Sequence, residues 1–361
     1  MKHVLVHNLI PGMIVGKDVY ADNNLLLTPA GAKLTNNTIS SLLLHSILSV
    51  YIMEDPLPKK EEPAQKPNVP QANLNFTETE QFKRFSRNFK NTTESLKGQI
   101  NDVVKKNSSF SPDVLLTQTS ELFTPDMTTI CLFDMLHHMR HYDDSTYVHC
   151  INVALICNVF GKWLNLPKKE IEVLTLCGLL HDIGKLDIPD SIVKKRAKLT
   201  PEEYKVIQRH AYKGYLILKD HPELDPRIAQ AALLHHERCD GTGYPTGCSR
   251  NRITDFALIV SIADVYDAMT SERCYREALS PFKVIKILQD EGIQKYDTHY
   301  FLMFLHQIVN SYVNSDVLLS DGTKAHVIYI NKMDLSRPVV KTETSIIDLS
   351  KIRDLEIESM L

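Results

Sequence analysis

No Cys-x-x-Cys pair occurs in the 361 residues, and the seven cysteines, at 131, 150, 157, 177, 239, 248 and 274, are odd in number and widely spaced. That pattern argues against a disulfide framework or a structural zinc ribbon. No run approaches the ~20 uninterrupted apolar residues of a membrane span. The stretch around Leu42 to Ile52 is short and contains His45 and Ser46, so no membrane insertion is expected. The opening MKHVLVHNLIPGMIV is broken by His3, His7 and Asn8 and lacks a small-residue cleavage site, so it reads as folded chain rather than a secretion signal. An excess of charge is missing as well: 41 Lys plus Arg against 44 Asp plus Glu leave −3. A nucleic acid polymer is therefore not an expected partner, and any anionic ligand must be met locally. What remains is ordinary globular material, 43% hydrophobic and 24% charged, consistent with a cytoplasmic protein. Its length suits two to three folding units.

The first fifty-odd residues alternate short apolar runs (Val4 to Val6, Met13 to Val15, Leu25 to Leu27) with turn-formers such as Pro11-Gly12, Asn23-Asn24 and Gly31, and carry one helical pattern from Asn37 to Ser46. This reads as a small α/β domain over 1–54. PLPKKEEPAQKPNVP follows, an extended Pro-rich linker placed at 55–76. From about Thr77 the period turns helical. A connecting helix is expected over 77–112, with Phe82 to Val104 carrying Ile100 and Val103 on one face; a spacer and a homodimer contact are both open readings of it. A helical bundle is expected over 113–314, punctuated by the capping box Thr200-Pro201-Glu202-Glu203 and by the cap-then-proline pairs Asp225-Pro226 and Ser280-Pro281. After Asn314, two β-rich runs around Asp321-Gly322 signal a hairpin, a short C-terminal β appendage over 315–361. The fold class is mainly α.

Nine of the fifteen histidines fall between His137 and His236. LLHDIGK ends an apolar helix with His181 and Asp182, and Gly184 permits a sharp turn. One such pair by itself also fits a core histidine hydrogen-bonded to its neighbour. Here it has company: His149 early in a helix from about Thr146 to Leu164, then His210, the doublet His235-His236, and Asp264 on DFALIVSIADVYDAM. Imidazoles and carboxylates from successive helices suit divalent cations, with Asp182 as a bridging ligand. Two ions ~3.5–4 Å apart can produce hydroxide near neutral pH and hold the entering and leaving oxygens of a displacement at phosphorus. Phosphoester hydrolysis is the reaction this set suits. HHERCDGTGYPTG follows the doublet with three glycines and Tyr244, either a tight connection or a substrate-facing loop. Lys185, Asp267, Arg273 and Arg276 lie close by in sequence. The lysine and arginines could clamp phosphate oxygens or purine edges, and the two arginines also fit a solvated helix face.

HDIGK, HHE, DGTGYP and DVYDAMTSERCYR, in that order, resemble the HD-GYP family of the HD phosphohydrolase superfamily over about Val114 to Tyr312. The resemblance implies an all-helical HD-type bundle and a metal-dependent phosphodiesterase that hydrolyses cyclic di-GMP to linear pGpG and on to GMP. The hybrid cyclic GMP-AMP is an alternative substrate, and a non-catalytic scaffold binding the dinucleotide or a diguanylate cyclase through the GYP loop is an alternative role. Carried over residue by residue, the metal ligands fall on His149, His181, Asp182, His210, His235, His236 and Asp264. Asp182 and Lys185 take catalytic positions, and substrate contacts fall on Lys185, Tyr244, Asp267, Arg273 and Arg276. The cofactor is expected to be two divalent ions, iron or manganese first, with zinc, nickel or magnesium also compatible. The glutamate that brings a third metal to some members is replaced here by Ser145, with Asp144 and His141 as nearby substitutes.

Overall fold

The structure is a computed structural model that describes residues 2–5, 9, 12–20, 26–35, 38, 42, 49–53, 79–106, 109–123, 127–139, 146–195, 197–270 and 279–361. The chain divides into two units, Met1–Asn73 and Leu74–Leu361. In the first, the short apolar runs pair as β1 (Lys2–Leu5) with β4 (Ser49–Ile52) and β2 (Val19–Tyr20) with β3 (Leu26–Thr28), all antiparallel. Leu9, Val15, Leu34, Leu42, Val50 and Ile52 form its core. The helical pattern from Asn37 to Ser46 falls mostly outside the described residues, and the linker expected at 55–76 lies wholly outside them.

The second unit is built from α1 (Glu80–Lys106), α2 (Pro112–Ser120), α3 (Thr129–Met139), α4 (Thr146–Trp163), α5 (Lys168–Leu180), α6 (Asp190–Val193), α7 (Pro201–Leu218), α8 (Pro226–Leu234), α9 (Asp255–Thr270), α10 (Pro281–Lys295) and α11 (Thr298–Ser311). Composition sorts them. Helix α9 buries residues on every side, from Phe256 through Ala263 to Tyr266, and α4 does the same from Val148 to Gly161. Helices apolar all round belong at the centre of a fold, and α9 packs against α4, α5 and α8. The start signals hold: Thr200 and Glu203 form a reciprocal capping box, Asp225 accepts from the Arg227 N–H, and Ser280 accepts from the Lys283 N–H.

One expectation changes. Helix α1 is neither a spacer nor a coiled segment with a free apolar face. Phe82, Phe85, Phe89, Leu96, Ile100 and Val103 recur at intervals of three, four and seven and sink that stripe into the same core as the bundle. The C-terminal strands form the expected short β appendage, and it packs onto the bundle. β5 (Asp316–Leu319) and β6 (Lys324–Tyr329) form the expected hairpin, and β7 (Val339–Lys341), β8 (Ile346–Asp348) and β9 (Ile357–Met360) extend it to a five-stranded sheet in the order β8-β7-β6-β5-β9. Val317, Leu319, Val327, Val340 and Ile357 join the helical core. The sheet is fastened to α10, where Ser280 Oγ donates to the Ile357 carbonyl (3.3 Å) and Lys283 and Lys286 pair with Glu358 and Glu356. Among the described residues no helix is long and apolar enough to cross a membrane.

Candidate metal centre

Asp182 stands where α5 ends, 1% exposed, and four imidazole Nε2 atoms from four segments face its two oxygens. His149 (α4) and His181 lie 3.7 and 3.4 Å from Oδ2, while His210 (α7) and His235 lie 3.3 and 3.8 Å from Oδ1. His181 and His235 are the residues that cap the C-termini of α5 and α8. Asp264, on α9, closes the other side, with Oδ1 3.0 Å from His149 Nε2 and 3.9 Å from His181 Nε2, and Oδ2 3.8 Å from His236 Nδ1. All seven expected residues are thus brought together.

Backbone carbonyls aim three of the rings. A carbonyl can only accept, so the Nδ1 facing it must carry the proton: His181 donates to Gly178 O (2.7 Å), His210 to Ile207 O (2.5 Å) and His235 to Ala232 O (2.9 Å). Held this way, each ring turns its Nε2 toward Asp182, where a neutral imidazole has its lone pair. Close approach makes this convergence geometrically available. At Gly184 an added Cβ would overlap the His210 carbonyl, so a side chain there would push α7, and with it His210, away. Space at Gly184, rather than a special turn conformation, is what its lack of a side chain provides.

Asp267 departs from expectation. It is 1% exposed, its Oδ2 is 2.7 Å from His149 Nδ1, and its Oδ1 accepts from Asn152 Nδ2 at 3.0 Å. With both oxygens engaged behind the ring, it cannot reach a substrate; it orients His149 instead, as a carboxylate behind a ligating histidine does. The signal was available as Asp264 and Asp267, and His149 and Asn152, each three apart on one helix face. Lys185 Nζ lies 2.5 Å from Asp182 Oδ2. Arg273 and Arg276 lie outside the described residues, as do His141, Asp144 and Ser145.

The electrostatics favour cations. Burial would raise the Asp182 and Asp264 carboxyls, but Lys185 and the imidazoles beside Asp182, and His149 and His236 beside Asp264, hold both well below the usual carboxylate range. Burial lowers His210, His236 and, to about 3, His235, which keeps those rings neutral. His149 is buried too, yet its hydrogen bonds to Asp264 and Asp267 outweigh burial and raise it to about 9.

The segment after the doublet is fastened by a residue that sequence reasoning passed over. Glu237, 2% exposed, accepts from Thr246 N (2.7 Å), Thr246 Oγ1 (2.8 Å) and Cys248 N (3.2 Å). Gly243 lies so tightly against Glu237 and Arg238 that a Cβ would overlap their backbone. The loop, with a cis Tyr244–Pro245 bond, folds back so that the Tyr244 ring sits 4.6 Å from that of His236. Tyr244 therefore borders the cluster, and burial pushes its hydroxyl pKa up.

The donor set fits a divalent cation on two counts. His181 Nε2 and Asp182 Oδ1 are buried without a hydrogen-bond partner, a costly state unless something else engages them. Ligating atoms also gather in two groups, His149, His181 and Asp182, and Asp182, His210, His235 and His236, each mutually within 4.8 Å. The HD domain family model matches residues 128–299. Over 206 residues the chain is 33% identical to a cyclic di-GMP phosphodiesterase of Pseudomonas aeruginosa, a match covering 57% of this chain and 50% of that protein. Over 146 residues it is 38% identical to the 3′3′-cGAMP-specific phosphodiesterase 1 of Vibrio cholerae, covering 40% of this chain and 34% of the relative. The chain thus spans half or less of the length of these curated relatives. In fold it is similar to an HDG"Y"P protein from Bdellovibrio bacteriovorus, with a TM-score of 0.51, 17% identity, and coverage of 84% of this chain and 97% of the other. Residues 128–299 thus form an HD domain, and its HDIGK, HHE and DGTGYP segments, set around one buried cluster, are the ones that resemble the HD-GYP type.

Proposed function

We propose that the chain hydrolyses cyclic di-GMP to linear pGpG, and pGpG onward to GMP, with two divalent ions. The observation that carries this is the division of four imidazoles between the two oxygens of Asp182, two to each. His149, His181, Asp182 and Asp264 would hold one ion and Asp182, His210, His235 and His236 the other, with iron or manganese favoured. Bound there, the ions would supply Lewis acidity, lowering the pKa of water and offsetting the charge on the phosphodiester.

The chain's own groups do the rest. Asp182 and Asp264 stay ionised, and the neutral His210, His235 and His236 need lose no proton to bind an ion, whereas His149, raised to about 9, must release one. Lys185 steadies Asp182 and offers its ammonium to a nonbridging phosphate oxygen as negative charge builds there. Water's oxygen adds to phosphorus, the bond to the ribose 3′-oxygen breaks, and the product keeps a 5′-phosphate. Tyr244, on a loop fastened by Glu237, forms the wall beside the reacting phosphate. Arg273 and Arg276 are proposed as further phosphate or base contacts on the resemblance alone. A role for the GYP loop in meeting diguanylate cyclases, and a homodimer, are proposals on the same footing. Action on an internal second messenger implies a cytoplasmic location.

The name of the relative with the longer alignment supports cyclic di-GMP over the hybrid dinucleotide. The test is metal analysis coupled to product chromatography on iron- or manganese-loaded protein. Appearance of pGpG is expected; normal metal content with both cyclic di-GMP and 3′3′-cGAMP left uncut would overturn the reading.

A further inference from the structure

Beside the histidine cluster lies a cavity of about 300 Å³ that shares His236 and Tyr244 with it. That volume is at the lower end for small-molecule sites, enough for one bicyclic base and part of its sugar but not for a whole cyclic dinucleotide. Met269 on α9 and Ile287 and Leu288 on α10 give it an apolar floor, and Tyr204, Tyr244 and Tyr296 give it aromatic walls. A flat, weakly hydrated ring is what such walls accept. The walls are tied together, because Cys239 N, beyond the histidine doublet, donates to the Lys295 carbonyl at the end of α10 (2.8 Å).

Three charged side chains also reach the cavity, and they differ in what they can still do. The Arg238 guanidinium is committed: it donates to Ser261 Oγ (2.7 Å) and to the carbonyls of His235 and Glu237, and lies over the Tyr296 ring at 5.0 Å. It is part of the wall. Glu291 and Lys295, one helical turn apart on α10, pair through Oε2 and Nζ at 3.3 Å, and both are partly exposed at the rim. Together they offer a carboxylate acceptor beside an ammonium donor. Guanine presents the complement on one edge, with O6 to accept from an ammonium and N1–H and N2–H to donate to a carboxylate. Adenine presents an amino donor where the ammonium needs an acceptor, and a lone pair where the carboxylate needs a donor.

We propose that this cavity is a purine subsite of the dinucleotide and that Glu291 and Lys295 make it select guanine over adenine. The assignment to a dinucleotide rests on the phosphodiesterase reading above; base selection does not, and can be measured alone. The test is calorimetric titration of the metal-loaded full chain with GMP and with AMP, which share a phosphate, so that their ratio isolates the base. GMP is expected to bind roughly 10-fold more tightly or better, with the ratio falling toward one in Glu291→Gln and in Lys295→Met. For turnover, Glu291→Gln is expected to raise KM for cyclic di-GMP about 10-fold with kcat changed far less. Equal affinity for the two nucleotides in the unsubstituted protein, or a ratio unmoved in both variants, would overturn the proposal. Melting curves identify a variant that has lost its fold, in which case the other decides. Selective GMP binding with cyclic di-GMP left uncut sinks the hydrolase and keeps the subsite; cleavage without base selection does the reverse.

Discussion

Of the four imidazoles that face Asp182, three are aimed from within and one from afar. His181, His210 and His235 each donate Nδ1–H to a carbonyl three residues back in their own helical segment, whereas His149 meets Asp267, 118 residues away on α9. The first arrangement comes with the helix and needs no second side chain. The second exists only once α4 and α9 have packed, and a single substitution can remove it. The two halves of the site therefore differ in how their precision is secured.

The largest expected effect removes what the two halves share. Asp182→Ala takes away the carboxylate between them, and bound divalent metal should fall by about half or more with hydrolysis of cyclic di-GMP lost, as read by metal analysis and product chromatography. Normal metal content in that variant would refute the shared role. The self-aimed half can be disturbed through the backbone. Gly184→Ala forces α7 outward, with an expected stability loss of about 1–3 kcal/mol in denaturant titration and weaker metal binding. The remote-aimed half should be vulnerable to Asp267→Ala, with metal affinity lowered roughly 10- to 100-fold and less change in folding stability; a loss no larger than that of Asn152→Ala would remove the distinction. Outside the cluster, Asp134 on α3 is a control in which burial is the cause of the shift. Desolvation raises its carboxyl from 3.8 to about 6. Ionising it costs more in the folded than in the unfolded state, a penalty absent below the ordinary pKa and complete above the raised one. Asp134→Asn is expected to add about 1–2 kcal/mol of stability at neutral pH and nothing in acid below the unperturbed value, measured by denaturation across pH.

Legibility followed the range of the interaction. The Thr200 capping box, the caps at Asp225 and Ser280, and the Asp321-Gly322 hairpin are contacts within a few residues, and each appears as read. The seven cluster residues were legible for another reason: buried histidines and aspartates on apolar helices need partners, and each other's company supplies them. Asp267 was misassigned because its partner lies on another helix, so the matching three-residue spacings of Asp264 and Asp267 and of His149 and Asn152 carry meaning only once α4 and α9 are seen to pack together. Glu237, the last residue of HHE, was given no role because its partners are mostly backbone N–H groups, which any sequence has. The expectation for Gly184 had the right residue and the wrong reason, since overlap with a neighbouring helix leaves no trace in local chain preferences. Strands β7 to β9 are three or four residues long, too short for alternation to register.

The position of Asp182 between paired rings has one further consequence. A carboxylate pulled from both sides transmits a change in either pull to the other, so the two flanks of the cluster feel each other's charge through a single group. Filling is then expected to be correlated rather than sequential and independent, with a metal titration curve that departs from two equal, separate sites.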